Sequence, residues 1–245
     1  MALWEILRAQ RCARSDDLFA MLAAEKLNGG RMRRNTIIIQ HGKGEFKATA
    51  EGNNIVWKYG TQEIHGNTCN FTVTEDDAQI LVSFDGLLTR FVNQSDGQTL
   101  LDLSDLGGKI TYYLNMSDCK NITGSLADLC GKLTRFLSLY NCRNITGDLS
   151  DLGGKLTYLL NLYNCRNITG VYSGNSYPTT VNLSNTGLTA ADMDQTLINF
   201  NAGTTKSGTF TANGMTRTAA SDDAVTGLIS RGWTVTGLTK SEESV

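Results

Sequence analysis

Apolar residues alternate with polar ones in short bursts along most of the chain. Leu160 and Leu162 flank Asn161, the two-residue period of a half-buried strand. The same arrangement recurs around Leu114 and Leu137. Between bursts lie "DLGGK"-like segments, too short for a full helix, which read as turns or single helical coils. Residues 35–87 show period-two runs, "TIIIQ", "EFKATAEG", "NIVWKYG", "NFTVTE" and "AQILVSFDG", separated by glycine, asparagine and acidic turns. They predict a small antiparallel β domain, sandwich-like or a single sheet. Near the C-terminus the spacing changes. Met193, Leu197, Ile198 and Phe200 share a broad helical face, and Gly203 supplies the stop. A strand follows in "GTFTANG", then a helix carrying Val225, Leu228 and Ile229, and a last strand in "WTVTG" with Trp233 placed to seal the core. At the other end, Leu3, Ile6 and Leu7 share a face, Asp17 to Leu27 predicts a second helix, and Asn28, Gly29 and Gly30 end it. These 34 or so residues read as a helical segment with a basic "RMRR" exit.

The strand bursts belong to a repeat. "LYNCRNITG" occurs at 139–147 and again, unchanged, at 162–170, and "MSDCKNITG" stands at 116–124. Cys119, Cys142 and Cys165 stand 23 residues apart, as do Lys109, Lys132 and Lys155. The unit 125–147 matches 148–170 at 17 of 23 positions, so the likeness covers whole units and not only the motif. A fixed period of this length predicts stacked units whose inward leucines merge into one core, because no single unit can bury its apolar face alone.

"LTYLLNLYNCRNITG" resembles the leucine-rich repeat of the cysteine-containing kind, with the first leucine four residues before the L-x-L pair instead of three. That resemblance implies a solenoid with a parallel β-sheet, and a buried ladder of free thiols at Cys119, Cys142 and Cys165. The closing "LTAADMDQTLINF…RGWTVTG" resembles the C-terminal end of leucine-rich-repeat proteins encoded by phages of Bacteroidetes hosts. The expected fold is therefore α+β: N-terminal helices over 1–34, a small antiparallel β domain over 35–87, leucine-rich repeats forming a parallel sheet over 88–188, and α-helical C-terminal repeats with a cap over 189–245.

Composition narrows the function classes. A net charge of −2 with no basic arm gives no reason to expect nucleic acid. Charges at Glu5, Arg8, Arg11 and Arg14 interrupt any signal-peptide core, and no apolar run reaches the ~18 residues of a membrane span. Synthesis and assembly in a cytoplasm, without membrane insertion, are expected. The six cysteines form no C-x-x-C pair, so neither a metal nor a cofactor is expected. The two histidines stand in no catalytic motif, and the repeated "GK" matches a phosphate loop only in part. An enzyme is not expected.

Repetition instead multiplies a surface. With Leu160 and Leu162 turned inward, alternate residues form outward columns: Tyr113, Phe136 and Leu159; Asn115, Ser138, Asn161 and Asn182; Ser117, Tyr140, Tyr163 and Ser184. From these the candidate binding residues are Tyr113, Asn115, Phe136, Ser138, Tyr140, Asn161, Tyr163 and Asn182, whose amides, hydroxyls and rings suit a saccharide or a protein loop. Lys120, Arg143 and Arg166 make a basic row, a candidate for an anion. The phage resemblance implies a virion protein of a tail, baseplate or capsid appendage. Leu3, Trp4, Ile6 and Leu7 would then anchor it to other virion proteins, as a homo-oligomer, and the repeat face would meet a host glycan or protein. The competing expectation is a cellular adhesin or protein-interaction module built on the same repeats.

Overall fold

The computed structural model describes residues 34–241 except Asp96 and Cys130. The expected helices and anchor residues Leu3, Trp4, Ile6 and Leu7 lie outside the described residues. Among the described residues the fold is mostly β: a mixed, largely parallel open sheet of 13 strands, a separate two-stranded sheet and few helices.

Five antiparallel strands open it: β1 (Arg34–His41), β2 (Gly44–Tyr59), β3 (Gln62–His65), β4 (Thr68–Val73) and β5 (Ala78–Asn93). Alternation decides their faces. In β1, Ile37 and Ile39 are buried while Ile38 and Gln40 face out. β2 and β5 are both 16 residues long and pair with each other over most of that length. β5 changes partners midway. Ala78–Asp85 pair antiparallel with β1, whereas Leu88–Val92 pair parallel with β7 (Ile110–Asn115). The expected boundary between 87 and 88 therefore falls inside one continuous strand. Gly52 lies at a register shift in the β2–β5 pairing, where a β-carbon would press into the Leu88 side chain.

From β5 the sheet runs through β7, β9 (Phe136–Ser138), β11 (Leu159–Asn161), β13 (Thr180–Asn182), β14 (Gly208–Arg217) and β15 (Trp233–Lys240), all parallel. Register is exact to the repeat. Leu114, Leu137, Leu160, Val181 and Phe210 stand side by side and are buried. Each such side chain contributes about 1.5–3 kcal/mol on burial, which a lone unit does not gain.

Short returning strands occupy the opposite side of each coil. β6 (Thr99–Asp102) pairs with β8 (Asn121–Thr123), and β10 (Thr146–Asp148) pairs with β12 (Asn167–Thr169). The "DL" segments after them close as single turns: α1 (Leu103–Leu106) and 3-10 turns at Leu126–Leu129 and Leu149–Leu152. Two longer helices fill the same place in the final units. α2 (Ala190–Ala202) starts on a capping box between Thr189 and Asp192, and α3 (Asp222–Ser230) precedes β15. Trp233 is buried edge-on to Phe200, 5.7 Å between centroids, and closes the end of the core. A single hydrophobic cluster runs from Ile37 to Trp233, so the antiparallel front and the repeating part share one interior.

Candidate functional site on the open face of the parallel sheet

Most repeated polar residues bind the neighbouring unit. The Cys142 thiol donates to the Met116 carbonyl at 3.0 Å, and the Cys165 thiol to Leu139 at 3.0 Å. Cys119 instead accepts from the Asn93 amide. These thiols and Cys69 are buried and free, and burial pushes all four pKa values up, Cys119 to about 11 and Cys165 to about 12. The threonines at strand entry make a second rail: Thr134 donates to the Thr111 carbonyl, Thr157 to Thr134 and Thr179 to Tyr158. The "NIT" asparagines make a third, with Asn121, Asn144 and Asn167 donating to Gly97, Lys120 and Arg143. At strand exit Asp118, Asn141, Asn164 and Asn185 take left-handed φ values between 54° and 65°, which short polar side chains tolerate.

The outward columns hold the candidate binding residues, and the structure separates them. Tyr113 stacks on Phe136 with centroids 3.9 Å apart and planes 10° from parallel. Tyr140 stacks on Tyr163 at 4.7 Å and 13°. All four rings are half-buried. The asparagines of the middle column are turn formers first: the side-chain oxygens of Asn115, Asn161 and Asn182 accept from the backbone N–H two residues on, in Ser117, Tyr163 and Ser184. The amide NH2 of each remains for a ligand, and the Asn161 and Asn182 oxygens keep a second lone pair, whereas that of Asn115 also accepts from the Ser117 hydroxyl. Ser138 departs from expectation. It is buried, and its hydroxyl shares a 2.8 Å hydrogen bond with that of Ser117 on the preceding unit.

Lys120, Arg143 and Arg166 are exposed beyond the strand exits, and Arg166 donates from Nε to the Asn164 side chain at 3.3 Å. No ion pair joins this row to the turn aspartates among the described residues.

At the other end of the strands lies a row that the columns above skip. Tyr112, Arg135 and Tyr158 occupy one position in consecutive units, and all are exposed. The Arg135 guanidinium lies 5.5 Å from the Tyr112 ring and 5.2 Å from the Tyr158 ring. Arg90 lies 4.4 Å from the centroid of Tyr113. Adjoining them is a groove of about 690 Å³ lined by Glu51, Tyr112, Lys132, Lys155 and three threonines. The 23-residue interval from 112 to 135 to 158 was visible in the sequence, but its residue types alternate and so do not announce themselves as a column.

No group of three or more His, Cys, Asp or Glu side chains gathers as a metal site among the described residues, and no described helix is long and apolar enough to cross a membrane. Comparison of the chain with protein-family models, curated proteins and solved structures finds no match.

Proposed function

We propose that this chain is a non-catalytic recognition module of the leucine-rich-repeat kind, carried on a phage virion and presenting the open face of its parallel sheet to a host surface or a partner protein. The observation that carries the recognition reading is the division of labour across each unit. Cysteines, threonines and turn asparagines are spent on holding the next unit, while tyrosine, phenylalanine and arginine are held half-exposed in ordered rows on one face. Leaving large rings stacked at a surface gives up burial, and such rings are the residue types that dominate protein-binding hot spots. Support for the virion setting comes from the resemblance of the C-terminal run to phage-encoded repeat proteins. On this reading residues 1–34 attach the module to other virion proteins, and several copies are displayed together.

The test is particle adsorption. Virions carrying Tyr140→Ala with Tyr163→Ala are expected to lose host adsorption by about tenfold or more, the loss of a two-residue hot spot at ~1–2 kcal/mol. The purified double variant should still unfold cooperatively. Undiminished adsorption by folded variant particles overturns recognition through this face.

A further inference from the structure

We propose that the strand-entry end of the open face, formed by Arg135 between Tyr112 and Tyr158 together with the Lys132–Lys155 groove, is a docking site for a carboxylate-rich segment of a partner protein. The inference rests on the recognition reading above and names the chemistry recognised.

Charge complementarity sets the sign of the partner. Lys132 and Lys155 hold equivalent positions in consecutive units and line the same groove. Burial first, and the Lys155 charge second, push the Lys132 pKa down, so the two ammonium groups are near enough to repel one another. Arg135 adds a third cation beside it through its contact with Tyr112, which also lines the groove. The one acidic lining residue, Glu51, faces Arg90 at 3.5 Å. Carboxylates entering here relieve the lysine repulsion and gain charge-assisted hydrogen bonds.

Ring orientation decides between a polypeptide and an acidic saccharide. Sugars pack their apolar faces onto open aromatic faces. Here each ring already has a partner on one face: Tyr113 and Phe136 cover each other, and Arg135 lies over the rings of both Tyr112 and Tyr158. The phenol hydroxyls and guanidinium N–H groups at this end of the face suit carboxylates and backbone carbonyls. Stacking also holds these side chains in place before binding, which lowers the entropy lost on association.

The experiment uses the full chain and a fluorescein-labelled polyglutamate peptide of about twelve residues, followed by anisotropy at about 20 mM and about 150 mM salt. Binding is expected at low salt, weakening as salt rises. Lys132→Ala with Lys155→Ala, and separately Arg135→Ala, are each expected to weaken it by about tenfold. Lys43→Ala with Lys58→Ala, two exposed lysines that do not line the groove, removes the same charge and is expected to leave it within about twofold. Thermal unfolding of each variant confirms that it is folded. The proposal is overturned by no peptide binding at low salt, by equal weakening in the Lys43/Lys58 variant, or by a polygalacturonate oligomer binding through Arg135 where the peptide does not. Peptide binding lost with host adsorption intact removes this site alone. Adsorption unaffected in the Tyr140/Tyr163 variant removes the reading on which it rests.

Discussion

The ring of Tyr113 lies 3.9 Å from that of Phe136, 10° from parallel, across the β7–β9 pair. The two residues sit in register on neighbouring parallel strands, so the stack follows from the 23-residue period and from nothing local to either residue. A cross-strand aromatic pair contributes about 0.5–1.5 kcal/mol beyond area burial.

A double-mutant cycle isolates that contribution. Tyr113→Ala and Phe136→Ala should each lower stability, and the double variant should lose about 1 kcal/mol less than their sum. Urea denaturation of the four proteins measures it. Strict additivity means the rings touch without stabilising one another.

The buried thiols make stability depend on pH at the alkaline end. Cys119 is raised to about 11 and Cys69 and Cys165 to about 12, against 9.0 for an exposed thiol, and Cys142 is raised further, chiefly by burial. Above pH 9 the unfolded chain gives up these protons first, so it binds fewer protons than the folded one. The stabilisation is complete below pH 9 and is lost through the window from 9 to 12, at up to about 1.4 kcal/mol per thiol per pH unit. Urea midpoints should therefore fall between pH 8.5 and 10.5, and fall less steeply in Cys165→Ala. Iodoacetamide at pH 8 should label Cys69, Cys119, Cys142 and Cys165 only after denaturant is added, as peptide mass analysis will read.

How much of this could be read from residues alone depended on the range of the interaction. The inward row of Leu114, Leu137 and Leu160 was readable because each leucine carries its own two-residue alternation and the period repeats it. The capping of α2 was readable because Thr189 and Asp192 are three apart. The continuity of β5 across positions 87 and 88 was not. It is set by pairing with β1 and β2 on one half and β7 on the other, partners up to about fifty residues away. On the candidate face, the half-buried rings of Tyr113, Phe136, Tyr140 and Tyr163 lie where alternation puts them, but Ser184 of the same columns is fully buried. The enclosure of Ser138 was not, since it follows from a hydroxyl 21 residues distant. The Tyr112–Arg135–Tyr158 row escaped because alternation from Leu114 assigns position 112 to the inward face, whereas a register shift at the strand entry leaves Tyr112 exposed.

Asn141 tests the turn chemistry. Its φ is 62°, its amide donates to the Asp118 carboxylate at 2.8 Å, and its oxygen accepts from Asn164 at 3.0 Å. Asn141→Ala should cost about 2 kcal/mol, combining left-handed strain with two lost hydrogen bonds. Asn141→Gly loses the same bonds but not the backbone fit, and should be more stable than the alanine variant by about 1 kcal/mol. Equal stabilities would assign the whole effect to the side-chain ladder.

Asp194 fastens the last two units together. Although only 5% exposed, it accepts from the Thr218 backbone N–H at 3.0 Å, the Thr218 hydroxyl at 2.6 Å and the Ser221 hydroxyl at 2.6 Å. The Thr218 hydroxyl in turn accepts from Ala220 N–H, capping the 3-10 turn that leads into α3. One carboxylate on α2 thus fixes both the end of β14 and the start of the next helix. Asp194→Ala leaves three donors without their acceptor, the Ser221 hydroxyl fully buried among them, and should cost about 3 kcal/mol. Asp194→Asn keeps the shape and one acceptor oxygen while its NH2 confronts a donor, so it should cost an intermediate amount, and Ser221→Ala about 1 kcal/mol. Hydrogen exchange adds a local readout: the Thr218 and Ala220 amides should exchange faster in Asp194→Ala well before the Leu137 and Leu160 amides do. Uniform acceleration across all four would mean that the carboxylate stabilises the chain as one cooperative unit and not the junction in particular.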